Sequence, residues 1–404
     1  MINVLFVDSG SGHGGSASYL YSFLKFIDRS RFSPYVLLYN YSEAPRINEI
    51  KNLGIEVIFL TNQSKKEEKA KGYDPDNKLL KVIRLLKFLL KLVSTHLPES
   101  IKIRKIILNK QIKIILMGSD VDYNISAVLA SIMTGKICIV RKSGGVVKTK
   151  VNIIQRILSR FVDMFIASSK SEADYHKTNK LYFKDMSVIY EGIDINSFFP
   201  YEDNMKIRNE FDLPAESKLI CSISRFDIGK GHFDILRAAD LVIKKYPGAV
   251  FIIVGDDFDF KKGQMRKQLE DQVNRMGLTG NFIFTGWRTD ILDILQGIDI
   301  FVHCPNTWRE GMGIATLEAI ACGKPTIVTN NSGLAETTED NYNGFVVPIG
   351  DYSALAEKIL LLLNDENKRK EMGSNSRLRA ETMFNIEQNV RKTEEIFDKL
   401  LKFS

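Results

Sequence analysis

The chain has 404 residues, 44% of them hydrophobic and 26% charged, with a formal net charge of +7. That length suits two domains of ordinary size, and the composition excludes both a small disulfide-stapled module and a disordered low-complexity chain. The positive excess is local: residues 61–113 hold 14 Lys and Arg against 5 Asp and Glu, which leaves the rest slightly acidic.

The opening residues, Met1 to Asp8, have no basic head and no long apolar run, so they predict a first strand rather than a signal peptide. No stretch of about 20 uninterrupted apolar residues occurs, and no transmembrane helix is expected. Cys138, Cys221, Cys304 and Cys322 sit singly on apolar runs without CxxC spacing, as reduced core residues rather than disulfides or a zinc site. These features predict a cytoplasmic protein, peripheral on the inner face of the cell membrane.

Strand-like apolar runs fall at 2–7, 35–39, 55–59, 112–117, 137–140, 163–167 and 187–190. A second series falls at 219–223, 250–254, 281–284, 298–302, 325–329 and 344–347. Helical patterns lie between most neighbours, which predicts an α/β chain with parallel, doubly wound sheets. The polar, Pro-containing stretch from Phe198 to Asn204 separates the two series as a linker. The expected organisation is two Rossmann-like domains facing a central cleft: 1–197, 198–384, and a C-terminal helix over 385–404 returning to the first domain. Ligands would bind at the carboxyl ends of the strands.

The first strand runs into a glycine-rich loop that contains His13, Gly14 and Gly15, followed by a helix. Glycines there let backbone amides approach a phosphate or sugar. A dinucleotide site would want an acidic residue at the end of the second strand, where this chain has Tyr39-Asn40-Tyr41. Between 78 and 91, cations at 78, 81, 84, 87 and 91 make one basic stripe on an otherwise apolar helix. Such a helix suits either an anionic membrane surface or packing on the sheet with its lysines in solvent. Aromatics for base stacking are not interleaved there, which argues against a nucleic-acid partner.

In the second half, Arg225 follows a strand and Lys230 comes five residues later, before a helix. The two cations can converge on a diphosphate and neutralise charge on a leaving nucleotide. Two acidic clusters after strands, Asp120-Val121-Asp122 and Asp257-Phe258-Asp259, have the pattern of a divalent-ion site. With Arg225 and Lys230 supplying positive charge, no metal is expected.

The stretch from Glu310 to Pro325 sets two carboxylates eight positions apart on either side of a glycine-rich helix entry. On one continuous helix they would be about 80° apart and about 12 Å along the axis, so they would not face each other. Gly311 and Gly313 place Glu310 in the preceding loop instead, beside the free amides and positive end of a helix that begins near Gly313. Glu318 falls in the second turn of that apolar helix, where a carboxylate needs a partner such as a ribose diol.

Read in order, Gly14-Gly15, Glu191-Gly192-Ile193-Asp194, Ser224-Arg225, Lys230-Gly231, Val254-Gly255-Asp256, Phe284-Thr285-Gly286-Trp287 and Glu310 to Gly323 resemble the retaining glycosyltransferases of family 4, the glycogen-synthase-like group with the GT-B fold. The resemblance spans nearly the whole chain and is most specific from 187 to 350. It implies that the first domain is the acceptor side and the second the donor side. Arg225 and Lys230 would bind the donor diphosphate, and Glu310 the hydroxyls of the transferred sugar. The amides of Gly311, Met312, Gly313 and Ile314 would meet sugar and phosphate, Glu318 would hold the ribose, and Arg288 would lie beside the base. Glu310, Arg225 and Lys230 are the candidate catalytic residues, and Gly14 and Gly15 join the donor site.

Where many members carry a histidine after the fifth strand, this chain has Arg141-Lys142, which cannot copy an imidazole's acid–base behaviour. His13, Arg141 and Lys142 are therefore acceptor-side candidates. The resemblance implies transfer from a nucleotide sugar, with UDP favoured, to a glycan or lipid-linked hydroxyl, with no cofactor and no metal. The alternatives are a sugar-nucleotide epimerase and a non-catalytic nucleotide-sugar-binding partner. An anionic membrane surface could meet residues 78–113.

Overall fold

The computed structural model describes residues 1–8, 15–61, 87–142, 153–201, 205–257, 263–306 and 310–402. Among them, every apolar run singled out in the sequence is a strand. The first series comprises β1 (Ile2–Asp8), β2 (Phe32–Leu38), β3 (Glu56–Phe59), β4 (Ile114–Met117), β5 (Ile137–Arg141), β6 (Met164–Ala167) and β7 (Met186–Val188). The second comprises β8 (Lys218–Ile223), β9 (Ala249–Val254), β10 (Phe282–Gly286), β11 (Ile300–His303), β12 (Thr326–Thr329) and β13 (Gly344–Val347). The runs are continuous rather than alternating because parallel strands are covered on both faces. All six residues of β9 are buried.

The seven strands of the first sheet lie in the order β3-β2-β1-β4-β5-β6-β7, and the six of the second in the order β10-β9-β8-β11-β12-β13. All strand pairs are parallel; β1, for example, pairs Ile2 with Phe32 and Val4 with Ile114. The order reverses between β1 and β4 in one sheet and between β8 and β11 in the other. These two switch points are where a doubly wound sheet opens a crevice at its carboxyl edge.

Apolar clusters cover both faces of each sheet. The helix Ile386–Leu401 follows the second domain in sequence, but its Ile386, Val390 and Phe397 are in the core of the first. Phe397 meets Phe32 edge-on with ring centroids 5.5 Å apart. The return is held where the chain crosses itself: the Ile193 amide donates to the Phe384 carbonyl at 2.7 Å, and the Ile386 amide donates to the Ile193 carbonyl at 3.1 Å. A methyl group on Gly192 would lie 2.5 Å from the Ile386 Cα, so only glycine permits the crossing. Arg377 then donates to the carbonyls of Ile195, Phe198 and Ala321, tying the crossover to the C-terminal end of the helix Ile314–Ala321.

The last helix is therefore structural for the first domain. Phe397→Ala is expected to destabilise that domain by about 3–5 kcal/mol, the usual loss for a buried phenylalanine. Chemical denaturation followed by first-domain fluorescence or exchange would measure it, and an unchanged midpoint would contradict the packing.

Candidate active site

The loops at the switch point of the second sheet carry most of the candidate donor residues. Arg225 and Lys230 follow β8, Glu310 follows β11, and Asn331 follows β12. Lys230 Nζ donates to Glu310 Oε2 at 2.5 Å, with the two side chains only 14% and 17% exposed. Burial opposes ionisation of Glu310, yet its carboxyl lies below the usual glutamate range because Lys230, His303 and Arg225 favour the anion. Arg225 itself is exposed at the cleft. The Asn331 side-chain oxygen accepts the Glu310 amide at 3.0 Å, and its amide group donates to the Pro305 carbonyl at 3.1 Å. Sequence reasoning missed Asn331; its position in a polar loop just after a strand was the signal available.

Lys230 owes its position to a backbone that only glycine can follow. Gly231 has φ +75°, and a methyl group there would lie 1.7 Å from the Cys304 carbonyl oxygen. His232 is buried next to it, with Nε2 3.1 Å from the Arg225 carbonyl and 3.2 Å from Ser224 Oγ. Burial lowers the His232 pKa to about 4, so the ring is neutral and braces the Arg225 loop. His303 is likewise pushed down to about 4 by burial, and its Nδ1 lies 2.9 Å from Thr316 Oγ1. Its ring packs under the Gly313 turn, where a methyl group would sit 3.1 Å away.

Gly313 takes φ +66° as the N-cap of the helix Ile314–Ala321, and no side chain caps that terminus. Its first-turn amides point out of the helix beside Glu310, in the arrangement that receives an anion. Gly311 and Met312 are buried, and the Met312 side chain belongs to an apolar cluster with Leu317 and Phe384, so only its backbone is offered to the cleft. From across the cleft, Gly15 opens the helix Gly15–Phe26, and a methyl group on it would lie 3.1 Å from Ile314 Cγ1. Two helix N-termini, one from each domain, thus meet at this point. Gly14 and His13 lie outside the described residues.

Glu318 sits one turn further along, half-buried. Burial raises its carboxyl to about 8, with Arg46 of the first domain opposing only in part. Arg288 is not part of the Lys230–Glu310 cluster. Its guanidinium donates to both carboxylate oxygens of Glu210 and to both of Asp290, which together neutralise it. Trp287 beside it is exposed.

The acceptor-side cations are buried and already engaged. Arg141 donates to the carbonyls of Ile189 and Tyr190 and lies over the Tyr19 ring at 4.6 Å. It helps line a crevice with Asp8, Ser16, Tyr19 and Gly118 at the switch point of the first sheet. Lys142 Nζ lies 3.1 Å from Asp120 and 3.5 Å from Glu172. Asp120, in the acidic pattern weighed from sequence as a divalent-ion site and set aside, faces an ammonium group. Asp257 accepts the amides of Met265 and Arg266, while Asp259 lies outside the described residues. Among the described residues no cluster of His, Cys, Asp and Glu suits a metal ion, and the four cysteines are buried and free.

One interdomain contact has no sequence signal. Glu336 of the second domain accepts the amides of Lys170 and Ser171 at 3.0 and 2.7 Å, at the N-terminus of a first-domain helix, Lys170–Thr178. Ser332 and Ser171 hydroxyls meet alongside at 3.1 Å. This anion at a helix N-terminus ties the second domain to the first.

The comparisons with known proteins agree with this geometry. Residues 203–379 match the family model described as glycosyl transferases group 1. The Anabaena protein HepE, solved in complex with UDP and glucose, superposes with a TM-score of 0.79 over 99% of this chain and 100% of its own, at 21% identity. The chain resembles a GT-B glycosyltransferase of family 4. Among curated relatives, the Escherichia coli UDP-Gal:alpha-D-GlcNAc-diphosphoundecaprenol alpha-1,3-galactosyltransferase is 29% identical over 216 residues. The Campylobacter jejuni N,N'-diacetylbacillosaminyl-diphospho-undecaprenol alpha-1,3-N-acetylgalactosaminyltransferase is 27% identical over 262 residues. These matches cover 52% and 63% of this chain and 54% and 65% of the relatives. The GT-B fold makes the crevice between the two switch points the cleft, and Gly15 faces Ile314 across it.

Two outcomes follow from this GT-B geometry. Glu336→Ala removes two hydrogen bonds to a charged group, each worth about 1.5–3 kcal/mol. It should raise the radius of gyration in small-angle scattering; an unchanged scattering curve would contradict the contact's role in tying the domains together. Glu318 holds its proton in the folded state up to about pH 8, whereas an unfolded glutamate releases it near 4.5. The native state is therefore favoured at low pH and loses that advantage as pH rises from about 4.5 to about 8. Glu318→Gln should match wild type in urea midpoint near pH 4 and exceed it near pH 9. An equal difference at both pH values would contradict the assignment.

Proposed function

We propose that the chain is a retaining, metal-independent glycosyltransferase. It moves a sugar from a nucleotide-sugar donor, a UDP-sugar first of all, to a hydroxyl acceptor in bacterial surface polysaccharide or lipid-linked glycan synthesis. The observation that carries the reading is the Lys230–Glu310 pair at the switch point of the second sheet, with Arg225 at the cleft and an uncapped helix N-terminus beside it. The glycosyl transferases group 1 match over the same domain supports it. The donor and the lipid-linked acceptor are favoured because the names of relatives include UDP-Gal and diphosphoundecaprenol, and HepE was solved with UDP.

In this reading the donor diphosphate lies between Arg225, Lys230 and the amides that follow Glu310. The bond from the sugar's anomeric carbon to the diphosphate oxygen breaks, and its electron pair goes to the phosphate. Fixed positive charge and oriented dipoles stabilise that developing charge without rearrangement. The acceptor oxygen attacks the same face, and a phosphate oxygen of the leaving group takes its proton. Glu310 accepts hydrogen bonds from hydroxyls of the transferred sugar and so positions the anomeric carbon. Glu318 accepts from the ribose diol, a contact that favours its ionised form. The first domain supplies the acceptor side, and the enzyme works on the cytoplasmic face of the membrane.

Lys230→Ala should lower kcat/KM by about 100- to 1000-fold, the range for removing one preorganised donor from a developing oxyanion. Glu310→Gln should lower transfer comparably while the fold survives. Turnover of labelled donor on membrane extract tests both. Wild-type rates in either variant would refute the reading, as would a product of inverted anomeric configuration for the retaining course.

A further inference from the structure

The sequence left open whether the basic helix before residue 92 buries its apolar sides on the sheet or offers them outward. Its described part does both. Phe88 and Leu92 pack on the core of the first domain, whereas Leu90 and Val93 are 70% and 65% exposed. The same outward face continues into the helix Leu97–Asn109 with Ile101 at 48% exposure. Next in the layer come the helices Ile125–Thr134 and Ile153–Ser159, which connect β4 to β5 and β5 to β6 on the same face of the sheet. Ile153 and Ile157, one turn apart, are 61% and 51% exposed. These side chains form no part of any core cluster, and the helices that carry them all cover one face of the first sheet.

The charge on this layer is one-sided. Residues 87–109, 125–136 and 153–161 hold eight Lys and Arg and one carboxylate, Glu99. None of the eight cations forms an ion pair among the described residues. The opposite layer, formed by the helices Gly15–Phe26, Pro45–Asn52 and Ile386–Leu401, carries six cations and five carboxylates. Its Lys25, Arg46, Arg391 and Lys399 are paired with carboxylates.

We infer that this helix layer docks the first domain on the surface of an anionic lipid bilayer, with Leu90, Val93, Ile101, Ile153 and Ile157 entering the interface and the unpaired lysines and arginines meeting lipid phosphates. Exposed aliphatic side chains interleaved with long cations suit the headgroup boundary, where each cation gains about 1 kcal/mol against an anionic leaflet. A protein partner is less well matched, because lysine is depleted at protein interfaces. The layer lies on rather than across the membrane: no described helix is long and apolar enough to cross a membrane. The inference deepens the proposed function and rests on it in one respect, the lipid-linked acceptor, which such docking would bring to the cleft.

The test uses the full chain and sedimentation with phosphatidylglycerol-containing vesicles, with pure phosphatidylcholine vesicles as the comparison. The protein should sediment with the first and not the second in about 0.1 M salt, and about 0.5 M salt, with a roughly twofold shorter Debye length, should release most of it. Leu90→Ser with Val93→Ser, and separately Lys102→Glu with Lys105→Glu, should each lower the bound fraction about tenfold or more. Lys392→Glu with Lys399→Glu on the opposite layer should leave it unchanged. All these variants should turn over a water-soluble acceptor analogue at the wild-type rate. Equal binding by every variant, no preference for anionic vesicles, or a stable dimer in solution that Leu90→Ser with Val93→Ser dissolves would each overturn the inference. Loss of turnover in the wild type on the soluble analogue would instead count against the transfer reaction.

Discussion

The structure depends on holding one pair of opposite charges, Lys230 and Glu310, at the point where the second sheet reverses its strand order. Neither group is well hydrated, so each needs the other. Removing one partner of such a buried pair leaves a charge that costs about 3–5 kcal/mol. Much of the second domain's irregular geometry serves this contact. Gly231 turns under Cys304 to bring Lys230 forward, Asn331 pins the Glu310 amide, and Gly313 starts a helix whose amides face the same space. An ammonium has three donors, so Lys230 can take a phosphate without releasing Glu310 into an apolar setting.

Among the described residues, the first domain completes the site by approach, and the two cations at the end of β5 are already engaged. Its own cations, Arg141 and Lys142, are engaged by carbonyls, a tyrosine ring and two carboxylates. What it presents beside Ile314 is Gly15, the start of a helix whose N-terminus faces the one that begins at Ile314. Glu336, bound to the helix N-terminus at Lys170 and Ser171, sets how closely the two domains stand. The Glu310 loop and the interdomain contact are thus connected through a few residues, Asn331 to Glu336, that follow β12.

The strands were legible in the sequence because parallel strands covered on both faces must be continuous apolar runs, and β9 and β12 are of that kind. The placement of Glu310 in a loop before the helix was also legible, since two glycines and the 100° helical step forbid a facing pair with Glu318. Tertiary pairing was not. Asp120 and Lys142 are distant in sequence, so the acidic pair showed a metal-like pattern but not the ammonium that β4 and β5 place against Asp120. Nor did the sequence show that Arg288, expected beside the base, is held by Glu210 and Asp290. Glu336 has no local pattern at all, because its partner is a helix end in the other domain. The outward face of the helix layer around Leu90 was half legible: the basic stripe showed in the sequence, but which aliphatic side chains are uncovered depends on how the helices pack.

The central claim is that the diphosphate of a nucleotide sugar sits between the two converging helix N-termini, on Lys230, with the sugar against Glu310. A crystal structure of the chain with an unreactive UDP-sugar analogue tests it most directly. The account predicts Lys230 Nζ within hydrogen-bond reach of a phosphate oxygen, amides of residues 311–314 on the phosphate or sugar, and a Glu310 oxygen on a sugar hydroxyl. A diphosphate bound elsewhere, with Lys230 still held by Glu310 alone, would contradict it.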